Sequence, residues 1–210
     1  MHSSGKAYIT RSAVFLPNAP VENDDIESVL GMIAGKPSRA RRIVLRNNGI
    51  RQRYYAIDPE TGKTTHTNAQ LTAEAVRGLN VPGDIDCLVT GTTMPDQLMP
   101  NHGVMVHGEL GIPACEVVST AGVCVAGITA LKYAYLAILA GQAKNAVATG
   151  SAAGIPMRPS RFAVRACFTE SDSSMPSSPA GPSRLTPAAS VMAALIRALP
   201  IGTLTPMVGR

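Results

Sequence analysis

Cys124 is the residue of this 210-residue chain best placed to do chemistry. It lies within Ser119-Thr-Ala-Gly-Val-Cys-Val-Ala-Gly-Ile-Thr-Ala-Leu131, between the strand-like run Ala114-Cys-Glu-Val-Val-Ser119 and a long apolar segment that ends at Gly141. That pattern puts the thiol at the first turn of a helix, where free N–H groups and the positive end of the macrodipole favour a thiolate. Small neighbours, Ala121, Gly122, Ala126 and Gly127, leave room for a substrate carbonyl to reach the sulfur. A nucleophile fits this setting, and so does a structural thiol, because free cysteine commonly behaves as a small buried hydrophobe. A further strand-like run, Ala143-Lys-Asn-Ala-Val-Ala-Thr-Gly150, makes Cys124 the start of the helix in a strand-helix-strand unit. In open α/β sheets, sites gather where strand ends meet helix starts.

The second chemical feature is basic. Lys36, Arg39, Arg41, Arg42, Arg46, Arg51 and Arg53 lie close together with no acidic residue among them. Such a run is either a solvated face or an anion-binding one, and the planar guanidinium fork suits phosphate. The chain's net charge of +5 divides unevenly: six arginines against Glu170 and Asp172 give the last 60 residues +4, leaving +1 for the first 150. A global surface for nucleic acid is therefore not expected. Cys87, Cys115, Cys124 and Cys167 form no disulfide framework, and Cys87 and Cys115 sit in apolar runs that read as core. No pair has zinc spacing; His102 and His107 are five apart, so they do not share a helical face, and no metal site is expected. The N-terminal residues lack the apolar run of a signal peptide, so the expected setting is reducing and cytoplasmic.

Helices and strands alternate around these residues. Strands are expected at 7–15, 85–92, 115–119 and 145–150, and helices at 23–34, capped by Asn23 or Asp24, at 66–79, capped by Thr67 or Asn68, and at 101–110. Residues 54–63, with Pro59 and Gly62, read as a loop or hairpin. The segment 121–141 is long enough to raise the membrane question, but Lys132 at its centre and the flanking strands favour a helix buried on all sides. Alternation of this kind predicts a layered α/β sheet.

Residue by residue, Cys124-Val-Ala-Gly-Ile-Thr-Ala-Leu131 with Ala140-Gly-Gln-Ala-Lys-Asn-Ala-Val-Ala-Thr-Gly-Ser151 resembles the nucleophile segment of the β-ketoacyl-acyl-carrier-protein synthase III group of the thiolase superfamily. Ala7-Tyr-Ile-Thr-Arg-Ser-Ala-Val-Phe-Leu-Pro17 resembles its opening strand, Asn48-Gly-Ile-Arg-Gln-Arg53 its Gly-Ile turn, and Cys87-Leu-Val-Thr-Gly-Thr-Thr-Met-Pro95 its central strand. Met99-Pro-Asn-His102 and His107-Gly-Glu-Leu-Gly111 look closest to the dialkylresorcinol-type branch of secondary metabolism. The resemblance covers about residues 5–152. It implies a thiolase-like N-terminal half, a mixed sheet flanked by helices, with Cys124 as the acylated nucleophile. It also implies Arg46, Arg51 and Arg53 as contacts for coenzyme A phosphates or an acyl carrier protein, no permanently bound cofactor, and a dimer. No tryptophan is present to stack on adenine, which weakens the case for free coenzyme A and leaves the phosphopantetheine of a carrier protein. In such synthases the histidine and asparagine of a Cys-His-Asn triad lie in a second half. Here all four histidines precede Cys124 and no asparagine follows Asn145.

The composition changes at the same point. From Ser151 onward there is no Lys, His, Asn, Gln, Tyr or Trp, while Ser, Pro, Ala and Arg dominate. Apart from Trp, the missing types all have codons with A in the middle position. This is the mark of a GC-rich gene read out of frame, and a natural Pro/Ser-rich disordered tail is the alternative. The expected organisation is a unit at 1–152 and a tail at 153–210, in which 188–199 forms one helix with Met192, Leu195, Ile196 and Leu199 on one face. Three functions remain open: a synthase III-like acyltransferase that is truncated; a non-catalytic half that pairs with a separate subunit; and an acyl- or carrier-binding protein in which Cys124 is structural. Without a second half, a large apolar face is expected to be exposed and to promote aggregation.

Overall fold

A computed structural model describes residues 6–32, 35–39, 41–152 and 190–198. Its centre is a five-stranded sheet of β1 (Ala7–Phe15), β4 (Cys87–Thr92), β5 (Glu116–Thr120), β6 (Asn145–Ala152) and β7 (Ser190–Ala198), in the order β1-β7-β6-β4-β5. β4 pairs in parallel with both β5 and β6, and β7 lies antiparallel between β1 and β6. All six residues of β4 are buried, as a strand covered on both faces must be.

One face of the sheet carries α3 (Asn68–Gly78) and α4 (His102–Leu110). Leu71, Ala75 and Leu79 from the first and Val106 from the second pack on Leu88, Val147 and Leu195. The other face carries α5 (Ala126–Leu139), whose Ala130, Ala134, Ala137 and Ile138 meet Val89, Ala146, Ala148 and Ile196. Each α3 and α4 terminus follows from its sequence. Thr67 accepts from the Gln70 N–H while Gln70 reaches back to the Thr67 N–H, which closes a capping box on α3. Asn101 accepts from the Val104 N–H to start α4, and Gly111, at φ 61°, ends it in the left-handed conformation.

Three expectations need correction. Residues 188–199 contain a strand, not a helix: β7 sends Ala193 and Leu195 to the α3 face and Met192, Ala194 and Ile196 to the α5 side. A strand buried on both faces is a continuous apolar run, which periodicity cannot tell from a short helix. The helix of 121–141 begins at Ala126, after a 3-10 turn, and is buried on one side; Ile128 and Leu136 on the other are 67 % and 50 % exposed. The helix expected at 23–34 shrinks to α1 (Ile26–Leu30), with Asp25 at its N-cap position making no side-chain bond, and it ends at Gly31, φ 78°.

The basic stretch holds an element the residues did not announce, α2 (Arg41–Asn48). Together with α1, β2 (Val21–Glu22) and β3 (Gln52–Arg53), which pair antiparallel, it forms an arm set apart from the main sheet. Asn18, at φ 58°, anchors the base of this arm by donating to the carbonyls of Tyr55 and Ile57. Residues 54–63 close as a hairpin-like loop through the Ile57–Thr64 bridge. The rest of the region from 153 onward lies outside the described residues, Cys167 and Leu199 included.

Candidate active site

Cys124 is exposed and stands in the 3-10 turn Val123–Val125, directly ahead of α5. The chain enters that turn through Gly122, whose φ of 151° is one that side chains disfavour. The Gly122 carbonyl accepts from both Val125 N–H and Ala126 N–H at 2.9 Å, so these two donors are already engaged. Threonines hold the surrounding carbonyls. Thr93 donates to Val123, Thr129 to Val125 at 3.0 Å, and Thr120 to Ala126 at 2.9 Å. No side chain caps the N-terminus of α5, which begins two residues after Cys124.

The helix start is pressed onto the sheet by three glycines, of which only Gly127 stood out in the sequence, as a small neighbour of Cys124. A side chain on Gly91 would collide with the Ala126 carbonyl, and a Cβ on Gly127 would lie 3.1 Å from the Gly150 Cα. Gly91 and Gly150 are register partners on β4 and β6. Their juxtaposition becomes visible only once the strands are paired.

Beside the thiol is a cavity of about 700 Å³ between α5 and the β1/β7 end of the sheet. Ile9, Val14, Ile128, Leu131 and Met192 give it apolar walls, with Cys124 among its lining residues. Among the described residues no histidine or asparagine lines it. The cavity suits an alkyl chain held next to a nucleophile.

Behind the sheet, on the α3/α4 face, is a buried polar cluster that the residue types alone did not reveal. His102 is 3 % exposed; its Nε2 is 3.2 Å from Thr72 Oγ1 and 3.5 Å from Ser151 Oγ. Asn68 Nδ2 donates to Thr92 Oγ1 at 3.0 Å, and Thr92 Oγ1 donates to the Ser151 carbonyl at 3.2 Å, tying the ends of β4 and β6 together. Burial holds the His102 imidazole below its usual range, against a smaller opposing pull from Asp96. His107 is elsewhere, 3.1 Å from the Pro113 carbonyl at the C-terminal end of α4.

The other described thiols are of a different kind. Burial, reinforced by Glu116, pushes Cys87 up to about 12, and burial also raises Cys115. Cys87 is fully buried in the core, as its apolar run predicts, whereas Cys115 is half-buried against the core's edge. Arg46 and Arg51 are exposed on the arm, and Arg53 is half-buried with Nη1 donating to Asn23 Oδ1 at 2.6 Å. None of the three belongs to the Cys124 cavity. Arg41 is tied to Glu27 at 3.1 Å, which removes it from the pool of unpaired cations. Among the described residues no cluster of His, Cys, Asp and Glu could hold a metal ion, and no helix is long and apolar enough to cross a membrane.

No family model matches the chain. β-Ketoacyl-[acyl-carrier-protein] synthase III of Neisseria gonorrhoeae is 30 % identical over 146 residues, 69 % of this chain and 43 % of the relative. That of Rhizorhabdus wittichii is 34 % identical over 108 residues, 51 % of this chain and 34 % of the relative. The chain is homologous to part of these synthases. It spans about two fifths of their length or less. Among solved structures, the tetronic acid condensing enzyme AbyA1 aligns with a TM-score of 0.66 and 25 % identity, over 94 % of this chain and 54 % of that one. The synthase III of Thermus thermophilus aligns at 0.61 and 22 %, over 92 % of this chain and 52 % of that one. The architecture, a mixed sheet with helices on both faces, is the thiolase-like one that the nucleophile segment implied.

Proposed function

We propose that this chain is the nucleophile-bearing half of a β-ketoacyl-acyl-carrier-protein synthase III-type acyltransferase, with Cys124 as the residue acylated. The observation that carries this reading is the exposed thiol at an uncapped helix start, beside an apolar cavity of about 700 Å³. The Cys124 thiolate attacks the carbonyl of an acyl thioester, an Sγ–C bond forms, and the departing thiolate of coenzyme A or phosphopantetheine takes up a proton. Charge on the carbonyl oxygen is met by backbone N–H groups at the helix start other than the engaged pair at Val125 and Ala126. In the second half-reaction a malonyl-carrier thioester loses carbon dioxide, and its carbanion attacks the acyl carbon and frees the cysteine. Histidine and asparagine serve that step in the related synthases, and among the described residues neither lines the cavity, so acylation is the step this chain is proposed to carry by itself.

Arg46, Arg51 and Arg53 are proposed as the contacts for the carrier protein's acidic surface or the coenzyme A phosphates, because no carboxylate lies between them in the sequence and the arm exposes Arg46 and Arg51, with Arg53 half-buried beside them. A dimer and a cytoplasmic setting, which keeps the thiol reduced, complete the reading. The second reading is a half-molecule that binds acyl or carrier ligand and works only with a separate subunit; the exposed outer side of α5 favours it.

The test is to incubate the folded chain with acetyl-coenzyme A and a longer acyl thioester and follow the mass of the peptide containing Cys124. Stoichiometric acylation that disappears in Cys124→Ala is expected. A folded sample that never acylates overturns the nucleophile role, and ligand binding that survives Cys124→Ala unchanged supports the binding reading instead.

A further inference from the structure

Asn68 opens α3, is buried, and is not among the residues lining the Cys124 cavity. Its bonds nevertheless gather the loop that leads to the thiol. Its side-chain amide donates to Thr92 Oγ1 at 3.0 Å and to the Met94 carbonyl at 2.7 Å, and its backbone N–H donates to Asp96 Oδ1 at 2.8 Å. Alternate residues of the loop after β4 are thus held by one residue, and Thr93, between the first two, is exposed. Thr92 Oγ1 is used to capacity. It accepts from Asn68 and from the Met94 N–H at 3.3 Å, and it donates to the Ser151 carbonyl at 3.2 Å. With residues 92 and 94 fixed on both sides of it, Thr93 has little freedom of its own.

The Thr93 hydroxyl donates to the Val123 carbonyl. That carbonyl and the Cys124 N–H belong to the same planar, trans peptide group, so fixing the direction of one fixes the other. A peptide oxygen that accepts a hydrogen bond also makes the N–H of its own group a stronger donor. Val125 N–H and Ala126 N–H are engaged by the Gly122 carbonyl, which leaves the Cys124 N–H outside that pairing. We propose that Asn68 and Thr93 are positioning residues for the acylation of Cys124: Asn68 fixes the loop, and the Thr93 hydroxyl aims and polarises the Cys124 N–H toward the oxygen of the thioester carbonyl. The proposal rests on the reading of Cys124 as the acylated residue. It adds a route through the backbone by which a side chain behind the sheet governs the rate at the sulfur.

The test compares two reactions of the same sulfur in the full chain. Acylation by acetyl-coenzyme A builds negative charge on a carbonyl oxygen, whereas alkylation by iodoacetamide displaces iodide and builds none. Both are followed as the rate of mass change in the peptide containing Cys124. Thr93→Val, close in shape but without the hydroxyl, is expected to acylate at least about tenfold more slowly while its alkylation stays within about twofold of the wild type. Thr93→Ser, which keeps the hydroxyl, should restore acylation. Asn68→Ala should show the same selective loss, and in the Thr93→Val background it should add less than about twofold, because the connection is already cut. If the alanine variant does not fold, Asn68→Ser replaces it, since a single hydroxyl donor cannot serve both Thr92 and Met94. Acylation of Thr93→Val at the wild-type rate, full additivity in the double variant, or acylation and alkylation falling together overturns the inference and leaves the acyl-enzyme reading standing. A wild-type chain that is alkylated but never acylated sinks that reading, and this inference with it.

Discussion

At the scale of single residues, the Cys124 turn is held by threonines, while the buried polar atoms lie on the other side of the sheet. His102 is the titratable member of that buried set, and its neighbours, Thr72 and Ser151, are neutral. Burial keeps its imidazole below the ordinary value of 6.5, with the Asp96 charge pulling the other way. The unfolded chain therefore takes up this proton first as pH falls. Stability from this group is complete above about pH 6.5 and declines below it, until the depressed folded value is passed. Urea unfolding between about pH 7.5 and 5 should show that decline in the wild type and a flatter profile in His102→Gln. Parallel profiles for the two proteins would mean that another group sets the slope.

Individual elements differ in how much they disclosed beforehand. The strands at 7–15 and 145–150 and the helix over 66–79 were legible because each binds its pattern to a clear stop or cap, Thr67 above all. α2 was not, since Arg-Arg-Ile-Val-Leu-Arg-Asn-Asn reads as a charge run, and only three-dimensional context shows that the run is helical. Cys124 was legible through its small neighbours, Gly127 among them, but Gly91 and Gly150 beneath it were not, because they come from two strands far apart in sequence. Asp96 was equally silent. Its carboxylate accepts from the Asn68 and Ala69 N–H groups at 2.8 and 2.9 Å, fastening the loop after β4 to the first turn of α3. Asp96→Ala should cost about 1–3 kcal/mol, read from the denaturant midpoint, because two helix-end donors lose an ionised acceptor. Thr67→Ala should cost about 1 kcal/mol by the same measurement. An Asp96→Ala loss below the Thr67→Ala loss would show that the loop does not depend on that clamp.

For the molecule as a whole, the decisive element is β7. It separates β1 from β6 and contributes Ala193 and Leu195 to one core and Ile196 to the other. A chain ended at residue 152 should therefore lose cooperative thermal unfolding and the near-ultraviolet signature of fixed packing; a sharp transition in that shortened chain would show that β1 finds another partner. The order of strands also sets a timetable. Among the described strands β1 is made before all the others and its neighbour in the sheet, β7, after them, so the two must wait for the residues between 15 and 190 to be made, on the order of ten seconds or more at ordinary synthesis rates. During that interval β1 lacks its partner in the finished sheet, while the edge of β6 stands open to a wrong one. Unpaired edges of this kind are what make a nascent chain prone to aggregate before its sheet is finished.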